Sequence, residues 1–138
     1  MTDSVEAKIA TLLLSRVAAL SITPPLSVSY PGVSFTPPAG TYLEVNLIPN
    51  TNVNRGLGST DSTQFRGILQ VTVVAPANGG IIAPTSIAGK IADHFERGTA
   101  LADGTLQIKI SGRPSIAPPI QDPDRISIPV SVNWYAFH

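Results

Sequence analysis

Cysteine is absent from this 138-residue chain. That excludes disulfides, thiolate metal sites and cysteine nucleophiles, and it fits a cytoplasmic folding compartment. Charge is also scarce. Asp, Glu, Lys and Arg together make up 13% of the residues, and nine basic side chains cancel nine acidic ones. Free-standing nucleic-acid binders draw their affinity from a basic excess, so a neutral chain is not expected to hold DNA as its main partner. No apolar run reaches the roughly 20 residues a membrane-spanning helix needs. The first residues do not read as a signal peptide: Asp3 and Glu6 stand where a basic region belongs, and an amphipathic stretch follows.

What the chain does have is 43% apolar residues, thirteen prolines and eleven glycines. The apolar content can offset chain entropy, and the length suits one domain over residues 1–138 with a single core. A domain so short of charge has a charge-poor surface, of the kind that partners tend to cover.

Hydrophobic spacing divides the chain. Residues 3–20 predict a helix, with Asp3 as N-cap, Glu6 completing a capping box, and Val5, Ile9, Leu12, Leu13, Val17 and Leu20 on one face. Pro24 and Pro25 bar its continuation. Leu26, Val28 and Tyr30 alternate with serines as a short strand, and Pro31-Gly32 marks a turn. Residues 41–48 alternate again, with Leu43, Val45 and Leu47 opposing Tyr42, Glu44 and Asn46, which suits a sheet covered on one face. Residues 49–64 form a long polar loop, and loops of that length are commonly functional. The strongest strand pattern covers 65–75. A second helix is predicted over 84–97, with Pro84 in its first turn and Gly98 as its stop. Strands at 105–110 and 126–136 close the chain, joined by a Pro-rich arm over 112–125. The order predicts an α+β fold: one twisted, mostly antiparallel sheet of about five strands, with two helices packed on one face.

Catalytic chemistry finds no support. His94 stands beside Asp93, but adjacent helix positions point apart, so a solvent-facing polar stripe is expected there. His138 ends the chain. Two distant histidines cannot build a zinc site. Asp122 and Asp124 flank Pro123 and lack the rest of a calcium loop, so a turn with solvated carboxylates is expected. Gly56-Leu57-Gly58 does not complete a phosphate-binding loop, and no Gly-x-Ser-x-Gly elbow occurs. No enzyme activity, cofactor or metal is expected. Arg55, Arg66, Arg97, Arg113 and Arg125 are set mostly in turns and arms. There they can serve solubility or grip carboxylates across a protein contact. Trp134 and Tyr135 must point to opposite faces of the last strand; one could anchor a contact, but core packing is expected for both.

The run from Ser29 to Pro38, followed by Thr41-Tyr42-Leu43-Glu44-Val45, resembles the opening of phage tail-terminator-like proteins, the lambda-type tail-completion group. Phe65-Arg66-Gly67-Ile68-Leu69-Gln70-Val71 is similar to their Arg-Gly-x-x-Gln-Val strand. Ile91-Ala92-Asp93-His94-Phe95 with Gly98 resembles their second helix and its stop, and the stretch from Asp124 to Trp134 their last strand. The likeness runs along nearly the whole chain in the right order. It implies a six-membered ring of identical subunits that caps the head-proximal end of the tail tube, stops its growth and presents a face to the head connector. The implied partners are copies of itself, the tube protein and the connector or neck protein, with DNA passing through unbound. The implied location is the virion neck, reached from the host cytoplasm during assembly. Carried over by position, the subunit or tail interface would include Arg55, Gln64, Phe65 and Arg66. Two other readings stay open: a different tube or neck ring component, and a small β-rich ligand-binding module, which would need an aromatic-lined groove.

Overall fold

The computed structural model describes residues 4–20, 26–49, 53–54, 63–95, 100–103 and 106–137. The first helix, α1 (Val5–Ala18), is capped by Ser4, one residue later than expected. The Ser4 hydroxyl accepts from the Ala7 N–H at 3.1 Å, while Asp3 lies outside the described residues. Glu6 in the first turn and Arg16 in the last complement the helix dipole. Ile9, Leu13 and Val17, spaced four apart, make its buried stripe. The second helix, α2 (Ile82–His94), is preceded by a 3-10 turn over Ala77–Gly79 and by Gly80 at φ +77°. Pro84 falls in its first turn, where its missing N–H leaves no intrahelical bond unmade. The helix was expected to reach residue 97. It ends at His94, with the Phe95 N–H still bonded to the Ile91 carbonyl at 3.2 Å, and Phe95 turns into the core.

The strands among the described residues are β1 (Ser27–Ser29), β2 (Tyr42–Pro49), β3 (Val53–Asn54), β4 (Thr63–Pro76), β5 (Ala100–Asp103), β6 (Leu106–Ile110), β7 (Ser115–Ile116), β8 (Ile120–Gln121) and β9 (Arg125–Phe137). They form one sheet in the order β1-β2-β4-β9-β6-β5, with β3 on β4 and with β7 and β8 on β9. The sheet is mostly antiparallel as expected, with β1 running parallel to β2, but the expectation of about five strands needs correction, because the short strands β3, β5, β7 and β8 enlarge it. Strands two to four residues long carry too few positions to show a period of two.

The spine is the antiparallel pair β4–β9, in register from Gln64 opposite Phe137 to Pro76 opposite Arg125. Leu69, Val71 and Val73 face Val132, Val130 and Ile128, and all six are buried. Leu43 and Val45 of β2, Leu106, Ile108 and Ile110 of β6, and the buried sides of both helices join the same cluster. One sheet face is thus the core, covered by the two helices, as the alternation predicts. The other face carries Glu44, Asn46, Gln70, Thr72, Ser127, Ser131, Asn133 and Tyr135.

The Pro-rich arm is tied to the sheet. β7 and β8 continue along the edge of β9 that β6 occupies further on, and the ladder between them lapses at residues 117–119. That lapse accommodates Pro129 in the middle of β9. Its carbonyl accepts from the Ala117 N–H at 2.9 Å, so the side on which Pro129 has no N–H to offer faces the interrupted stretch and not β4.

Candidate interface on the open sheet face

The described contact candidates fall on two faces of β4. Alternation along β4 puts Gln64 and Arg66 on the open face and Phe65 on the other, where it packs, half-buried, against the core. Arg55 lies outside the described residues. Gln64 and Arg66 border a shallow groove of about 260 Å³, completed by Gly67, Ile68, Ser111, Asn133, Trp134 and Tyr135. Arg66 and Tyr135 are direct cross-strand partners, and Lys109 of β6 is opposite Tyr135, giving a row of Arg, Tyr and Lys across three strands. Beside it, Ile48 is paired to Ile68 and is 47% exposed. The groove is smaller than the roughly 300–1,000 Å³ of typical small-molecule pockets.

Core packing of both aromatics needs correction, because alternation along β9 sends them to opposite faces. Trp134 is 6% exposed within the core cluster, and Tyr135 is on the open face. The Trp134 indole N–H is buried with no partner among the described residues.

His94 departs from its expected place in a solvated stripe. It is half-buried, and its Nε2 donates to the Arg16 carbonyl at 2.6 Å, while the Arg16 Nη2 donates back to the His94 carbonyl at 2.7 Å. Each helix thus bonds a carbonyl in the last turn of the other, and the Arg16 carbonyl also accepts from the Ala19 N–H at 3.2 Å. Burial pushes the imidazole below its ordinary value of 6.5; the hydrogen bond to the Arg16 carbonyl pulls it up, and the adjacent Arg16 charge pushes it down. Nothing in the spacing of positions 16 and 94 signalled this pairing. Arg16 was not among the arginines singled out.

Of the other arginines, Arg113 pairs with Asp93 at 2.7 Å with both side chains exposed. Arg125 is a clamp: its guanidinium donates to the carbonyls of Pro38 at 2.8 Å and Gly40 at 2.9 Å, with a longer contact to Ala39 at 3.4 Å, and its centre is 5.6 Å from the Tyr42 ring centroid. Arg97 lies outside the described residues, as does His138. Asp122, Pro123 and Asp124 form an exposed turn, fixed by Asp122 N–H to Arg125 carbonyl at 2.8 Å and Ala77 N–H to Asp124 carbonyl at 3.1 Å. Among the described residues, no three His, Asp or Glu side chains converge as a metal site would require.

Comparison with known proteins agrees with the architecture. No curated protein sequence matches the chain. A solved structure matches with a TM-score of 0.80 at 25% identity, covering 99% of this chain and 97% of the other. A family model described as phage tail terminator protein matches residues 8–134, from the first helix to the Trp of the last strand. The chain belongs to the phage tail terminator protein family.

Proposed function

We propose that the chain is the terminator subunit itself: six copies form a ring on the head-proximal end of the tail tube, stop its polymerisation and join it to the head connector. The family match over residues 8–134 carries this reading, since tail terminators are structural proteins of the phage tail. The surface supports it. The open face offers a groove suited to protein contact, with Arg and Tyr, the side chains enriched where interfaces concentrate their energy. A ring of identical subunits requires a head-to-tail contact between two different patches of each copy, closing on itself. The partners are then copies of this chain, the tube protein and the connector or neck protein. The chain works in the virion neck after assembly in the host cytoplasm. DNA slides through the ring without specific binding, in keeping with nine basic and nine acidic residues.

Negative-stain microscopy of the purified chain, alone and mixed with tail tubes, tests this reading. Discrete six-fold rings and capped tube ends are expected. Open-ended tubes built from the chain itself would make it a tube protein instead.

A further inference from the structure

We propose that in the ring the Asp122-Pro123-Asp124 turn of one subunit seats in the groove lined by Arg66 and Tyr135 of its neighbour. The inference rests on the ring reading above and names the two patches that meet. Four observations carry it. The turn is a projecting acidic knob: all three residues are exposed, its backbone is held at both ends, and Pro123 stiffens its middle. The groove is concave and carries Arg66 and Tyr135 on its border, and Lys109 is the cross-strand partner of Tyr135 beside it. Its volume, about 260 Å³, suits a few protruding side chains better than a free ligand. Arg66 and Tyr135 are each already engaged within their own chain, so the groove is formed before a partner arrives.

The two patches cannot meet within one molecule. The turn immediately precedes β9, and the groove is built around Asn133, Trp134 and Tyr135 near its other end. At about 3.3 Å per residue they are roughly 30 Å apart along one strand. Knob and groove are different surfaces of the same subunit, so their union is heterologous and propagates from copy to copy, as a ring demands. A guanidinium and a phenol facing carboxylates across a partly desolvated contact give charge-assisted hydrogen bonds and set the register between neighbours.

Charge reversal tests the pairing with the full-length chain. Arg66→Glu makes the groove acidic, and Asp122→Lys with Asp124→Lys makes the knob basic. Each reversal alone is expected to weaken ring formation about tenfold or more in sedimentation and microscopy, with thermal melts confirming the fold. Mixed in equal amounts, the two variants should regain rings, because basic knobs then meet acidic grooves and acidic knobs meet basic ones. Alternation closes in a ring with an even number of places. A chain carrying all three changes should also assemble alone. Wild-type rings that neither reversal weakens, or a loss that mixing does not rescue, would overturn the pairing and leave the ring standing. A wild-type chain that forms no ring, alone or on tubes, would overturn both.

Discussion

The Arg125 fork contacts three consecutive backbone carbonyls and stands over the Tyr42 ring, closing the loop between β1 and β2 onto the start of β9. A planar guanidinium can reach several acceptors in one orientation, and an ammonium cannot. Arg125→Ala is expected to cost about 1–3 kcal/mol in urea unfolding, and Arg125→Lys to recover little of it. Equal stability of the lysine variant and the wild type would contradict the clamp. His94 makes the other long-range polar link. Its folded pKa lies below the ordinary 6.5, so the folded chain holds fewer protons there than the unfolded chain does. The corresponding stability is complete above 6.5 and is lost as the pH falls from there through the folded value. Urea midpoints measured between pH 8 and 5 should therefore decline with acidity, and His94→Gln should flatten that decline. An unchanged slope in the variant would remove His94 as its source. The sequence marked Arg125 only as a charge in an arm and misplaced His94, because helical spacing reports which residues share a face of one helix. It is silent about a second helix 78 positions away.

Among the elements, β4 and β9 bear the fold. Leu69 is fully buried, opposite Val132 on one side and Leu47 on the other. Leu69→Ala is expected to cost roughly 2–5 kcal/mol through lost burial and the cavity left behind, read as a lowered denaturant midpoint at unchanged slope. A cost under 1 kcal/mol would mean the site collapses freely and that the spine is not the core described. These long strands were legible because Leu69-Val71-Val73 and Ile128-Val130-Val132 repeat a period of two over many positions. Both helices were legible too, with ends misjudged by a few residues, since Ser4 competes with Asp3 as a cap and Phe95 is drawn into the core. The parallel pairing of β1 and the anchoring of the arm depend on contacts distant in sequence, which local alternation does not encode. Of the groove, Gln64 and Arg66 were anticipated from the chain, while Ser111, Asn133 and Tyr135 enter through cross-strand register.

At the scale of the whole molecule, the two sheet faces divide the work. One buries the apolar residues of both helices and the long strands. The other carries the groove near one end of β9, while the acidic turn precedes the strand's other end. In the proposed ring, association driven partly by opposite charge should weaken as salt rises. The ring fraction of the purified chain, followed by sedimentation from low to about 1 M salt, is expected to fall, and insensitivity would point to apolar contacts around Ile48 and Ile68 as the dominant grip. The measurement that addresses the central claim most directly is tail length in phage lacking this gene. Tubes that overrun their normal length and fail to join filled heads are the predicted result. Tails of normal length attached to full capsids would contradict the account.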